Sequence, residues 1–239
     1  MAEKQTKLPL YISEIYGWLY NSVKWSSFFD RIGFLRFFTL GMNKKLVDVL
    51  IKEIHQGDKV LQIGATFGNQ IDKTAEKIGF NGKYDIVDVN RFQLERVEAK
   101  YKYVYSTMSF FHQDGVAPIK DKYDVAICYL LLHELPILTK IKMVDNVLAS
   151  VKDKGKVVFI DYNNPRPWHP LRYVVKVINR LYQPFAEKIW DREIHTFATK
   201  KTDFIWRKTT YFGRMYQKVV AVKKEKFKKI TTGVEKVGE

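Results

Sequence analysis

Cysteine is almost missing: Cys128 is the only one in 239 residues, which excludes an internal disulfide and any cysteine-built zinc cluster. No uninterrupted apolar run approaches the roughly 18–20 residues that a membrane-spanning helix needs. The start, MAEKQTKLPLY, has no secretory apolar region and carries Glu3, so it is not read as a signal or transit peptide. Carboxylates are also scarce, with 26 Asp and Glu against 41 Lys and Arg and a formal net charge of +15. A field of that sign favours anionic partners, either nucleic acid or the acidic face of a membrane. What is plentiful is apolar surface: 46% of residues are hydrophobic, enough for a substantial core, and the length suits one α/β domain. Aromatic residues reach 15%, with Trp and Tyr gathered near the N-terminus and again after residue 160. Interleaved with basic residues they suit a membrane interface or single-stranded nucleic acid, and composition does not choose between the two.

Glycine is thin where it matters most. In Lys59–Asn69, KVLQIGATFGN, an apolar strand of Val60 to Ile63 breaks into a turn bounded by Gly64 and Gly68. Ile71, Ala75 and Ile78 then recur at helical spacing. Strand, glycine turn and helix is how an α/β sheet makes a crevice for a nucleotide-like ligand. Gln62 stands mid-strand, and Thr66 stands where a middle glycine is expected.

The rest of the chain alternates strands and helices. Residues 8–42 read as one or two aromatic-rich helices, a lid that includes Tyr16 and that can wall a lipophilic pocket. Residues 43–55 form an amphipathic helix through Leu46, Val47, Leu50 and Ile54. Further strands are expected at Tyr84–Val89, Ser109–Gln113, Tyr123–Cys128 and Lys156–Tyr162, with crossover helices at Arg91–Tyr101 and around Ile141–Val151, the latter stopped by Gly155. Such alternation predicts a parallel sheet with helices on both faces. From Asn163 the pattern changes. Pro165, Pro167 and Pro170 forbid regular structure, a basic amphipathic helix follows over Leu171–Leu181, and Lys208–Val222 reads as a strand pair turning near Gly213. The expected organisation is a single domain: lid 1–42, cofactor-binding core 43–162, a substrate- and membrane-facing segment with the closing hairpin 163–222, and a basic tail 223–239.

In such a sheet ligands bind outside the carboxyl ends of the strands. Asp88 ends the second strand twenty residues after Gly68, the place for a carboxylate that accepts ribose hydroxyls. Asp114, two strands along, can accept from an adenine amino group, or can simply be a turn residue before Gly115. His133, Glu134, Asp161 and His169 fall near the same rim, and oxygen donors with an imidazole suit a hard divalent metal.

These residues resemble the class I S-adenosylmethionine-dependent methyltransferases, whose first motif is a strand acid followed by GxGxG; Gln62, Gly64, Thr66 and Gly68 occupy those positions here. The resemblance implies a seven-stranded, mostly parallel α/β sheet with an antiparallel last strand. It also implies cofactor contacts from Gln62, Gly64, Ala65, Thr66, Gly68, Asp88, Val89, Asp114, Gly115 and Tyr129. The stretches VLQIGATFG, DYNNPRPWHPLR, PFAEKIWDREI and TYFGRMYQKVV are further similar to the rhodoquinone-biosynthesis enzymes of that superfamily. That resemblance implies replacement of a ring methoxy group of ubiquinone by an amino group, with S-adenosylmethionine as amino donor and manganese (Mn2+) assisting. Gln62, His133 and Tyr162 are then expected to be catalytic, Glu134, Asp161 and His169 to ligate the metal, and Tyr16, Trp168, His169 and Tyr211 to face the substrate.

Gln62 has a physical rationale under that reading. A carboxylate there would favour the ammonium form of the cofactor's amine, whereas a nucleophilic amine must be neutral. The expected setting is peripheral association with an anionic membrane that holds the quinone. This is the inner membrane of a mitochondrion-related organelle or the cytoplasmic face of a bacterial inner membrane, with no nucleic acid as partner. The competing readings are a conventional methyltransferase of lipophilic small molecules, an RNA methyltransferase favoured only by charge, and a cofactor-binding sensor without activity.

Overall fold

The computed structural model describes residues 41–182 and 185–225. The expected lid, with Tyr16, and most of the basic tail lie outside the described residues. In chain order the elements are α1 (Asn43–Ile51), β1 (Lys59–Ile63), α2 (Gln70–Ile78), β2 (Lys83–Asp88), α3 (Arg91–Tyr101), β3 (Met108–His112) and β4 (Tyr123–Tyr129). Then come a 3-10 turn at Leu132–Glu134, α4 (Ile137–Ala149), β5 (Val151–Tyr162), α5 (Arg172–Tyr182), α6 (Glu187–Asp191), 3-10 turns at Ile194–Phe197 and Lys201–Asp203, β6 (Phe204–Tyr211) and β7 (Tyr216–Lys223).

The seven strands form one sheet in the order β3-β2-β1-β4-β5-β7-β6. The first five are mutually parallel, and β7 runs antiparallel between β5 and β6. This is the class I methyltransferase fold. The strands are nearly continuous apolar runs because both faces are covered. Along β4, Val125, Ile127 and Tyr129 join one core with α1, α2 and α3, while Ala126 and Cys128 join another with α4 and α6. β5 alternates in the same way, with Val158 and Ile160 on the first side and Val157 and Phe159 on the second. Strand order reverses between β1 and β4, and the crevice at that switch point is where this architecture receives a ligand.

Element boundaries differ from expectation most at α1 and around Gly155. α1 stops at Ile51, short of residue 55. α4 ends at Ala149, before Gly155, and β5 starts early at Val151, passing through Gly155. Val151 pairs with Tyr123, and the register slips before Val125 meets Lys156. A Cβ on Gly155 would stand 2.9 Å from the Lys152 carbonyl oxygen and 3.0 Å from that of Tyr123. This glycine therefore permits a close backbone approach within a strand, where sequence alone suggests a helix stop.

Candidate active site

The glycine turn leaves β1 with Gly64 and Gly68 both at positive φ, 92° and 81°. Beside it, Asp88 at the end of β2 accepts from the backbone N–H of Ala65 and of Asn90, each at 2.6 Å. Burial pushes the Asp88 carboxyl up, while these two N–H groups, Arg96 and His112 work against that shift. A carboxylate offers about four acceptor positions, so capacity remains for ligand hydroxyls. At the end of β3, Asp114 accepts from the Val116 N–H at 3.0 Å. A Cβ on Gly115 would fall 2.7 Å from the Ile63 side chain and 2.8 Å from that of Met143, so any larger residue there would have to displace both. Val89 lies beside Asp88, its carbonyl 3.1 Å from His112 Nε2. Gly64, Ala65, Thr66, Gly68, Asp88, Val89, Asp114 and Gly115 therefore sit at the carboxyl ends of three adjacent strands, an arrangement that fits a nucleoside. Tyr129 is buried instead, its hydroxyl 3.1 Å from Asn43 Oδ1 on α1.

Gln62 does not open into the crevice. It is fully buried, and its amide forms a reciprocal pair with that of Gln70, at 2.9 and 3.0 Å. Gln62 Nε2 also donates to the Gly64 carbonyl at 3.0 Å, and the Tyr84 hydroxyl donates to Gln62 Oε1. Thr66 turns its hydroxyl inward to Gln70 Oε1 at 2.7 Å, so its side chain extends this network under the loop. Thr74 completes it by accepting from Gln70 Nε2 at 3.0 Å. The expected direct contact between Gln62 and a cofactor amine is thus replaced by a closed, formally neutral platform beneath the turn. Gln70 and Thr74 stand one helical turn apart beside Ile71, Ala75 and Ile78 on the buried side of α2. Two polar residues on an otherwise apolar face were the available signal for this network. Above it, Arg96 donates to the Thr66 carbonyl at 3.0 Å and its guanidinium covers the Phe67 ring at 4.5 Å, fixing the loop from outside.

On the other side of the switch point, β4 leaves through Leu130, a non-glycine residue at φ 49°. Such a conformation costs about 1–3 kcal/mol and persists only where the surroundings impose it. Here it starts the 3-10 turn that buries His133. Asp161, at the end of β5 and also buried, stands 2.8 Å from His133 Nδ1 and accepts from the His133 backbone N–H at 3.3 Å and the Tyr162 N–H at 2.7 Å. Burial disfavours the imidazolium, but the Asp161 charge, its hydrogen bond and Glu134 together outweigh it and hold the His133 pKa above the ordinary value. With Nδ1 directed to Asp161, the proton exchanged with a ligand belongs on Nε2, which lies 3.8 Å from Glu134.

The Tyr162 ring packs on His133 with centroids 4.3 Å apart, and on Tyr216 at 5.6 Å. Tyr162, Tyr216 and Tyr211 are register partners across β5, β7 and β6, an aromatic row at the sheet's rim. Trp168 does not join that row: it is 70% exposed, beneath the Arg166 guanidinium.

The expected metal ligands do not converge. Asp161 is taken up by His133 and backbone N–H groups. His169 is buried, with Nδ1 3.3 Å from the Leu171 N–H and its ring edge-on to Phe212 at 5.2 Å. Among the described residues no group of three His, Cys, Asp or Glu side chains could hold a metal ion. The donor set does not fit resident manganese, because His169 is taken up by the Leu171 N–H and Phe212 and brings no third donor to His133 and Glu134.

Lys140 was not anticipated. It is fully buried on α4, donating to the carbonyls of Leu135 at 2.6 Å and Phe185 at 2.9 Å, and so ties the His133 turn to the segment before α6. Burial lowers its pKa to about 8, against the opposing pull of Asp161 and with help from Lys188. An unfolded chain binds this proton up to about pH 10.5, so stability should rise with pH between about 8 and 10.5, by up to about 1.4 kcal/mol per pH unit. Lys140→Met is expected to flatten that rise. Denaturant midpoints for both proteins across this range check it, and parallel curves would refute it.

No family model and no curated protein matches the sequence. Solved structures do match the fold. An O-methyltransferase family protein from Burkholderia thailandensis aligns with TM-score 0.68 and 12% identity, over 90% of this chain and 64% of its own. The mitomycin 7-O-methyltransferase MmcR aligns with TM-score 0.65 and 11% identity, over 88% and 60%. Human N-acetylserotonin methyltransferase, solved with S-adenosylmethionine, aligns with TM-score 0.62 and 15% identity, over 91% and 61%. This chain thus spans about three fifths of the length of these three structures.

Proposed function

We propose that this chain is an S-adenosylmethionine-dependent transferase of a lipophilic quinone, and that it transfers nitrogen, converting ubiquinone to rhodoquinone. The observation that carries this reading is the neutral platform under the glycine turn. Where the related methyltransferases place an acid, Gln62, Gln70, Thr66, Thr74 and Tyr84 close a network without formal charge. Nothing in that network raises the pKa of an amine seated above it, so the neutral, nucleophilic form is accessible. The similarity of the carboxy-terminal stretches to rhodoquinone-biosynthesis enzymes supplies the substrate.

When bound, S-adenosylmethionine supplies the transferred nitrogen; this chain's residues position and move protons. Asp88 offers its remaining acceptor positions to ribose hydroxyls, and the Gly64–Gly68 turn leaves room for close approach of the ligand. His133, oriented by Asp161, holds a proton at Nε2 that could pass to the methoxy oxygen as the ring C–O bond breaks and a ring C–N bond forms, so that methanol leaves. The attacking nitrogen would give up a proton in return, and the donor's own C–N bond would then have to break to free the aminoquinone. Tyr162, packed between His133 and the buried Tyr216, offers its ring to the quinone, with Tyr211 further along the rim. The shared O-methyltransferase fold favours a second reading, methyl transfer to a lipophilic hydroxyl, in which the same imidazole removes the proton.

One labelling experiment separates the two. The purified protein is incubated with a short-tailed ubiquinone, Mn2+ and S-adenosylmethionine carrying a nitrogen label on the amine and a carbon label on the methyl. Nitrogen label in the quinone product is the expected result. Methyl label there would establish methylation, and a product with neither label would remove both readings.

A further inference from the structure

We infer that α5 and the loop before it form a docking surface for the headgroup layer of an anionic bilayer. α5 has a wider apolar arc than the core uses. Leu171, just before it, and Val175 pack against the first core, but Tyr173, Val174 and Val177 point away and are 70%, 53% and 59% exposed. On a helix these three fall on one flank, with exposed Lys176 and Arg180 bordering it. The preceding loop adds Trp168, 70% exposed beneath Arg166, and the β6–β7 turn adds exposed Phe212 and Arg214. Arg166 donates its backbone N–H to the Gly213 carbonyl and Phe212 touches His169, so loop and turn form one continuous rim.

Charge selects the occupant. Between Asn163 and Ala186 there are four Arg and Lys residues and no carboxylate, in a chain whose net charge is +15. A tryptophan, a tyrosine and valines edged by cations match the boundary between headgroups and acyl chains, where apolar groups enter and long basic side chains reach back to phosphate. Anionic lipid adds attraction for each nearby cation. No described helix is long and apolar enough to cross a membrane, so contact through this face would be peripheral. The surface lies at the carboxyl rim of β5, on the side of Asp161 and Tyr162. Under the proposed function it therefore brings the site to a substrate held in the bilayer, and the surface itself rests on that reading only for this orientation.

Sedimentation with vesicles of phosphatidylcholine alone, and of phosphatidylcholine with phosphatidylglycerol, tests the inference on the full chain. The wild type is expected to bind the anionic vesicles, more weakly as salt rises, and to leave the neutral ones. Tyr173→Glu with Val177→Glu changes only exposed positions, so the fold should persist by circular dichroism, and anionic-vesicle affinity is expected to fall at least about tenfold. Equal binding by the double variant would overturn the assignment, as would a wild type that ignores both vesicles. A wild-type dimer that the variant converts to monomer would assign the face to a second copy, and salt-sensitive binding to an RNA oligomer without vesicle binding would assign it to nucleic acid; either would overturn the inference. Turnover of a short-tailed, water-soluble quinone keeps the two readings apart: the variant should retain it, and its absence in both proteins would count against the proposed function while the vesicle result stands.

Discussion

His133→Asn is expected to lower turnover by roughly 10²–10⁴-fold while leaving the protein folded, the range that a positioned proton carrier contributes. Asparagine approximates the imidazole's reach toward Asp161 Oδ1, now 2.8 Å from Nδ1, but it cannot carry a proton at the position of Nε2. Asp161→Asn removes the charge that raises the His133 pKa and turns one of the two accepting oxygens around His133 into a donor, which disturbs its tautomer. In this variant the alkaline limb of the pH–rate profile, where the proton donor is lost, should move to lower pH, because the imidazolium has lost the partner favouring it. Both profiles come from initial rates with the short-tailed quinone. A His133→Asn protein within threefold or so of wild type, an effect under about 1 kcal/mol, would remove His133 from the chemistry. An Asp161→Asn profile that does not move would confine Asp161 to a structural part.

Gln62→Glu is expected to destabilise the protein by roughly 3–5 kcal/mol at neutral pH, as an uncompensated buried charge does. The network has no cation to receive it. Tyr84 and Gln70 Nε2 can still donate to the new side chain, but the Gly64 carbonyl and Gln70 Oε1 now accept from Gln62 Nε2 and would face a second acceptor. The sign of the pH dependence follows. Burial raises the folded-state pKa of the introduced acid, so the added penalty is absent below the unfolded value of about 4.3 and grows as pH rises toward the folded value. The gap between variant and wild-type melting temperatures should therefore widen from acidic to neutral pH. A gap that stays flat would mean that the carboxylate reaches solvent and the platform is open. Activity of this variant is informative only where melting shows it folded, because a collapsed turn and a charged turn both abolish turnover.

Sequence and structure agree best where a residue's job is set by its place on a strand. Asp88 and the Gly64–Gly68 turn follow from strand endings and spacing, and α3 follows from Asn90 capping its first turn through Gln93 N–H. Agreement fails where two side chains decide between each other and a ligand. His133 and Asp161 both reach the rim as expected, but 28 residues of separation do not reveal that they bond to one another rather than to a cation. Gln62 similarly reads as a cofactor contact until Gln70 is seen to claim its amide. Gly155 misleads in a third way, because a glycine needed for crowded backbone carries the same letter as one that ends a helix.

Cys128 gains a meaning that the fold alone does not supply. Quinone rings are electrophiles that thiolates add to, so an enzyme handling them risks arylating itself. The only sulfhydryl of this chain is sealed beneath the sheet, and burial together with the Asp161 charge pushes its pKa well above the ordinary value. Little of it is thiolate at working pH. Under the proposed function the scarcity of cysteine thus becomes chemical tolerance: a quinone ring would meet no thiolate competing for it.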